Sequence, residues 1–406
     1  MTPQPRLAPS GNPDIDWAER NMPLLRQSVA TRAHNFRGVH VGICLHTEPK
    51  TAVLVRWLLH YGARVTITGN LGTTVSSVAQ TLSELGATVI GHRSDDHEKH
   101  QRNVDQVLAA EPDLVMDNGG ELITRLACGA PRSDTFVGAT EETTTGGLRI
   151  RELDVQPDFP VIVINDSSLK LTVENEYGVG QSVVQGFMNA TNSMVPGARA
   201  TVVGYGPCGK GTADTLRALG AIVSVVERNP FRALEAIMRG HMVGTLDDLL
   251  PQAELLFLAT GARDVIAEDQ FARLRDGAII IGVGHEGAEL DIETLRRATR
   301  GESALGSSAA DQAPRVVYTF PDGREVVVLH GMNMINLTAA GGNPIQAMDL
   351  GLALQACSLA AIVGGAATWV GAGPVPSDID DELATTLVDM LSRKNVDAPR
   401  AAESVR

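Results

Sequence analysis

Between residues 38 and 118 short apolar runs alternate with segments whose apolar positions recur every three or four residues. GVHVGICL (38–45) reads as a strand, KTAVLVRWLLHYGA (50–63) as an amphipathic helix, and RVTITGN (64–70) as a second strand. VSSVAQTLSELGA (75–87) then reads as a helix and TVIGHR (88–93) as a strand, followed by a charged helix and the strand PDLVMDN (112–118). FPVIVI (159–164) has the look of a buried strand, and DWAERNMPLLRQ (16–27) that of a helix in a polar leading segment. Strands alternating with helices imply a parallel sheet with helices on both faces, whose ligands bind beyond the carboxyl ends of the strands. His46, Asn70 and Asp117 each fall just past a predicted strand end, so three strands aim polar groups at one crevice. A second unit of the same kind begins near Ala198. ARATVVGYGPCGKG leads into a helix, a strand and an acid, and AELLFLAT, GAIIIGVG and REVVVLHG supply later strands. An apolar helix is expected after Pro344, and a charged, partly helical tail after Pro374.

At 406 residues the chain is too long for one compact core, so about two or three domains are expected. Its 43% hydrophobic and 4% aromatic content is that of an ordinary soluble α/β protein. A net charge of −14 argues against a nucleic acid or an anionic membrane as the main partner. Cys44, Cys128, Cys208 and Cys357 are scattered, with no CxxC pair and no Cys/His ligand spacing, so no metal site is expected and the thiols read as reduced. The leading residues have no apolar core of a signal peptide, and a cytoplasmic protein is the expectation. Ala347–Gly371 is the most apolar stretch, but Asp349, Gln355, Ser358 and Thr368 interrupt it. It reads as a buried helix at a domain or subunit contact and not as a membrane span.

Gly204-Tyr205-Gly206-Pro207-Cys208-Gly209 fits GxGxxG between a strand and a helix, and Glu227 ends the next strand at the expected distance. Gly204 permits the turn, Gly206 lets the backbone approach a pyrophosphate, and Gly209 lets the helix pack on the sheet. Glu227 would accept hydrogen bonds from a ribose, which favours NAD over NADP, a preference that Arg228 and Arg232 blur. Other polar groups are ambiguous one at a time. EETTTGG (141–147) is a hydroxyl-rich loop or simply a helix cap. His285 follows a strand of the second unit. Lys170 and Glu174 stand four apart, with Asn175 next, just after the strand FPVIVI; on a helix, Lys170 and Glu174 would share one face.

Taken together these stretches resemble the S-adenosyl-L-homocysteine hydrolase family. The resemblance runs through DWAERNMPLLRQ, LHTEPKTAVL, MDNGGEL, EETTTGG, NDSSLK, ENEYGVGQS, VVGYGPCGKG, GVGHEG and NMINL to about Gln355, and is nearest the compact bacterial and archaeal branch, as a divergent member. It implies two Rossmann-like, doubly wound parallel-sheet domains. Residues 1–179 with 342–385 would bind substrate, 180–341 would bind NAD, and 386–406 would form a short tail. Two crossings between domains would act as a hinge. It also implies a tightly held NAD, a nucleoside substrate, and self-association to a dimer or tetramer. The ribose 3′-hydroxyl is oxidised, the ketone acidifies the C4′ proton, the C5′ group leaves, water adds, and the ketone is reduced again.

By resemblance Lys170 removes the 3′-hydroxyl proton, Glu142 holds the ribose hydroxyls, and Glu174 and Asn175 tune Lys170. His46 and Asp117 resemble the groups that handle protons at C4′ and C5′, and His285 the histidine that closes over the substrate. Thr143, Thr144 and Thr145 resemble hydroxyls that bind NAD, Arg232 joins the cofactor set, and Asn336 resembles a residue near the nicotinamide amide. Glu48, Lys50, Asn70, Asn343 and Met348 fall to the substrate. The chain also departs from the family pattern. Glu174 replaces an Asp, Val75 and Ser76 replace Gln and Asp, Asn343 replaces a His, and the terminus lacks the lysine and tyrosine of long forms. The oxidising groups are kept while groups around the substrate differ. Hydrolysis of S-adenosyl-L-homocysteine is the first expectation. A 4′,5′-dehydratase of nucleoside-antibiotic biosynthesis is the alternative, and an inactive NAD-binding regulator a second one.

Overall fold

The computed structural model describes residues 6–284, 289–306 and 314–396. Two compact units divide the chain: residues up to Lys170 together with those from Met348, and Leu171–Ala347. The divisions fall inside helices, at 170/171 and 347/348, where the sequence suggested crossings near 179 and 342.

In the first unit the strands are β1 (His40–Cys44), β2 (Arg64–Thr68), β3 (Thr88–Ile90), β4 (Leu114–Asp117), β5 (Gly138–Glu141) and β6 (Pro160–Val163). The second unit holds β7 (Arg199–Val203), β8 (Ile222–Val226), β9 (Met242–Val243), β10 (Leu255–Leu258), β11 (Ala278–Gly282), β12 (Gly301–Leu305), β13 (Arg315–Thr319) and β14 (Glu325–Leu329). The chain then returns to the first sheet with β15 (Gly371–Pro374). The first sheet runs β15-β6-β5-β4-β1-β2-β3, all parallel. The second runs β12-β13-β14-β11-β10-β7-β8-β9, parallel from β9 to β14, with β13 and then β12 added antiparallel. Both are doubly wound α/β sheets. The strand order reverses direction between β1 and β4 in one and between β7 and β10 in the other.

Side chains of a strand alternate between faces, and here both faces are covered. Val202, Phe257 and Ile281 point into one apolar cluster with Val183, Phe187 and Leu216. Their neighbours Val203, Leu256, Leu258 and Ile280 point into another with Phe271, Leu274 and Leu290. That explains unbroken apolar runs such as LLFL and AIII, which an alternating pattern would not give.

The expected helix over DWAERNMPLLRQ is two helices, Pro13–Arg20 and Pro23–Thr31. Pro23 cannot continue a helix from before it, yet suits the first position of a new one. The tail expected from 386 has no break there, because Ser377–Val396 is one helix. The apolar helix is Ile345–Val363, long and apolar enough by composition to cross a membrane, but 78% buried inside the protein. Its Asp349 carboxylate accepts the amides of Leu24 and Leu25 at 3.0 and 2.7 Å, which caps the start of Pro23–Thr31. The polar interruption that argued against a span is thus a structural tie.

Candidate active site

In the first unit, polar residues leave the carboxyl ends of five neighbouring strands: His46 after β1, Asn70 after β2, Asn118 after β4, Glu142 after β5, and Lys170 beyond β6. Four of them form a string. Asn70 Nδ2 donates to the Asn118 carbonyl at 2.9 Å, Asn118 Nδ2 donates to Glu142 Oε2 at 2.7 Å, and Glu142 Oε1 faces Lys170 Nζ at 3.8 Å. All four residues are buried, none more than 7% exposed. Among the described residues, Asn70 Oδ1, Asn118 Oδ1 and Glu142 Oε1 have no hydrogen-bond partner. Buried acceptors are nearly always satisfied, so three together mark a place for a ligand that carries hydroxyls. His46 is half-buried at the switch between β1 and β4.

Asp117 is the last residue of β4 and fully buried, not past its end. One carboxylate oxygen accepts the Asn118 amide at 3.0 Å, and the other accepts Leu122 and Ile123 at 2.8 and 2.9 Å. Parallel register sets it beside Glu141 of β5. Glu141 accepts the amides of Gly119, Gly120 and Thr143 at 3.0, 2.9 and 2.8 Å, and the Thr143 hydroxyl at 2.6 Å. Burial pushes the Asp117 carboxyl up to about 7 against those amides; burial and then the charge of Asp117 push Glu141 up to about 8. These two acids hold the turns that present Asn118 and Glu142.

EETTTGG proves to be a cap as well as a site. Thr143 caps the helix Thr144–Arg151 by accepting the Gly146 amide at 2.9 Å, while Thr144 is exposed and Thr145 half-buried in its first turn. Glu48 and Lys50 pair with each other at 2.9 Å. Glu48 also caps the helix Pro49–His60 through the Thr51 amide, and burial raises its carboxyl against the Lys50 cation. Of the two altered positions 75 and 76, Val75 ties to the residue after His46, its amide donating to the Thr47 carbonyl at 2.9 Å. Lys170, Glu174 and Asn175 lie on a π-helix, Lys170–Gly178, and not on the α-helix that would set Lys170 and Glu174 on one face. Its wider turn is a form concentrated at functional sites.

In the second unit Gly204 has φ +94, and a Cβ there would meet the Ala259 carbonyl at 2.8 Å. A Cβ on Gly209 would meet the Gly204 carbonyl at 1.9 Å, so the turn and the helix Pro207–Ala218 close on each other. A Cβ on Gly206 would meet only Arg232, at 3.7 Å, which leaves a cradle with a cation beside it at a helix N-terminus. Glu227 is pinned by the Tyr205 and Asn229 amides, both at 2.7 Å, as a fixed acceptor at the tip of β8. Asn336 donates to Ser182 and Asn343 at 3.4 and 3.3 Å, and its buried Oδ1 has no hydrogen-bond partner among the described residues. Cradle, pinned acid and amide acceptor suit the pyrophosphate, ribose and carboxamide of a nicotinamide dinucleotide. Met348 is half-buried on its helix, and His285 lies outside the described residues.

The sequence reading passed over Asn118, Glu141 and Glu289. Asn118 sits inside the quoted MDNGGEL and Glu141 opens EETTTGG, so proximity to a motif was the available signal. Glu289, buried, accepts the amide and hydroxyl of Thr260 at 2.6 and 2.5 Å and ties the loop after β10. Nothing in the sequence marks it.

A family model described as S-adenosyl-L-homocysteine hydrolase matches residues 4–136, and one described as its NAD binding domain matches residues 175–342. An S-inosyl-L-homocysteine hydrolase of Methanopyrus kandleri is 38% identical, over 94% of this chain and 90% of its own. An adenosylhomocysteinase of Archaeoglobus fulgidus is 39% identical over 84% of each. An S-inosyl-L-homocysteine hydrolase of Methanothermobacter thermautotrophicus is 36% identical over 87% of this chain and 85% of its own. The NAD-binding match lies within the second unit, and NAD is the cofactor.

Proposed function

We propose that this chain, which belongs to the S-adenosyl-L-homocysteine hydrolase family, hydrolyses S-adenosyl-L-homocysteine reversibly to adenosine and homocysteine. The observation that carries the reading is the buried string Asn70–Asn118–Glu142–Lys170 with its unpartnered acceptors. NAD, when bound, supplies a reversible hydride acceptor for the ribose C3′. Glu142 and Asn118 take the ribose hydroxyls, and Lys170 removes the 3′-hydroxyl proton as the carbon is oxidised. Glu174 and Asn175, on the Lys170 helix, set the charge of that lysine. The ketone makes the C4′ proton acidic enough for a protein base. His46 is the group we assign to proton transfer at C4′ and C5′. Asp117 acts behind it, because its oxygens already hold three amides. The thiolate leaves C5′ with a proton, water adds across the alkene, and the reverse proton and hydride transfers restore the alcohol. Gly206, Glu227, Arg232 and Asn336 are the proposed cofactor contacts within the second unit. Self-association to a dimer or tetramer belongs to the same proposal.

Incubation of NAD-loaded protein with adenosine and homocysteine tests it. Thioether synthesis with transient NADH absorbance is expected. Neither product nor absorbance with any nucleoside would defeat it and leave an inactive NAD-binding regulator. A second reading, a 4′,5′-dehydratase, is favoured by the altered position Val75, whose amide bonds the carbonyl of Thr47, the residue after His46. Mass spectrometry of adenosine-like substrates separates the two: a stable product lighter by one water supports the dehydratase.

A further inference from the structure

Glu174, Asn343, Ser182 and Asn336 form a second hydrogen-bonded string, wholly within Leu171–Ala347. Asn343 Nδ2 donates to Glu174 Oε1 at 3.3 Å. Asn343 Oδ1 accepts the Ser182 hydroxyl at 3.1 Å and Asn336 Nδ2 at 3.3 Å, and that same Asn336 amide reaches Ser182 Oγ at 3.4 Å. Ser182 is fully buried, and Glu174 and Asn336 are buried with it.

The Ser182 hydroxyl has a second acceptor, the Val179 carbonyl at 3.2 Å, and the two amides set the direction of the string. Both hydrogens of the Asn336 amide are spent on Ser182 and Asn343, so Asn336 can offer only its carbonyl oxygen to anything else. Asn343 receives the Asn336 amide on one side, which is therefore its oxygen, and its nitrogen on the other side donates to the Glu174 carboxylate. Turning the Asn343 amide over would set donor against donor at Asn336 and acceptor against acceptor at Glu174.

We propose that Ser182 and Asn343 are positioning residues that lock the Glu174 carboxylate and the Asn336 carbonyl into one mutual orientation. One end of the string is the acid that tunes Lys170. The other is the free acceptor for the amide hydrogens of the nicotinamide carboxamide. The inference rests on the proposed function and reassigns Asn343, whose amide is engaged on both sides, from the substrate to this link. It also accounts for the pair of departures at 174 and 343. The extra methylene of glutamate carries its oxygen to a short, neutral amide. What one side chain gains in reach the other gives up.

That trade supplies the test. E174D shortens the link by one methylene and N343Q lengthens it by one. Each alone is expected to lower kcat roughly tenfold at an unchanged nucleoside KM, the scale of one buried hydrogen bond. The double variant E174D/N343Q should return to within about threefold of the parent. S182A, which takes away one acceptor of the Asn336 amide and so loosens the orientation of its carbonyl, should weaken NAD binding by roughly tenfold, read by fluorescence titration without any turnover. Independent, multiplying losses in the double variant, or a rise in KM with unchanged kcat for N343Q, would overturn the link and return Asn343 to the substrate. Unaltered NAD affinity in S182A would overturn it from the other end, and this measurement stands even where a paired variant fails to fold. A parent protein that never forms NADH would defeat the proposed reaction, yet the S182A titration would still decide the link.

Discussion

Two acids that share the end of adjacent strands make the sharpest prediction at the scale of single residues. Asp117 and Glu141 are raised to about 7 and about 8, chiefly by burial, with Glu121 adding to the first and Asp117 to the second. In the unfolded chain both would ionise near 4. Between about pH 4 and 8 the folded protein therefore holds protons that the unfolded chain has released. Stability contributed by these groups is present at low pH and is lost as pH rises through their folded values. Thermal melts from pH 5 to 8.5 should fall with rising pH for the parent. E141Q should be less stable at pH 5, by about 1–3 kcal/mol, because its amide nitrogen faces backbone donors. Its further decline toward pH 8.5 should be shallower, since one titrating carboxyl is gone. Parallel curves would mean that the pair does not titrate in this range. The register that creates the pair joins β4 to β5, and β5 is GATE, four residues with no apolar run. A reading by hydrophobic pattern had no means to see that strand, and so none to see the acids meet.

At the scale of elements, the glycine turn separates two kinds of glycine that the motif writes alike. Gly206 has an ordinary φ of −69 and an open cradle, so G206A should fold with a nearly unchanged melting temperature yet lose NAD, because the methyl occupies the place of the pyrophosphate. Gly209 instead meets the Gly204 carbonyl, so G209A should destabilise the second unit itself, by about 1–3 kcal/mol, as overpacking does. Melting curves with and without NAD distinguish them; equal loss of stability in both would contradict the cradle. The order strand, turn, helix, strand and acid was legible because each part is local in sequence. The π-helix was not. Lys170–Gly178 carries the spacing of an ordinary helix start, and its wider turn depends on what packs around it. The break at Pro23 was legible in principle, and the apolar residues on both sides concealed it.

At the scale of the whole molecule, the sequence foretold two doubly wound units and an NAD domain, because alternating strands and helices leave few topologies open. It left open which nucleoside is bound. Relatives called S-inosyl- and S-adenosyl-L-homocysteine hydrolases resemble this chain to nearly the same degree, at 38% and 39% identity. Overall similarity therefore cannot separate them, and the chemistry must. The two substrates differ at one position of the purine, an amino donor in one and a carbonyl acceptor in the other. A pocket built to bond one of these leaves a buried group mismatched with the other, which costs roughly 10⁴-fold in kcat/KM. A pocket that leaves the position to solvent discriminates hardly at all. The mostly buried Glu48 and buried Lys50 hold an acceptor and a donor together and are already paired. If they face the purine, Lys50 suits the carbonyl and Glu48 the amine. Rates of thioether synthesis from adenosine and from inosine, compared for the parent and K50M, decide the matter. Preference for inosine that K50M abolishes would assign the inosyl substrate and give Lys50 its role. Preference for adenosine that survives in K50M would leave the purine to Glu48, and equal rates for both nucleosides would place the 6-position in water.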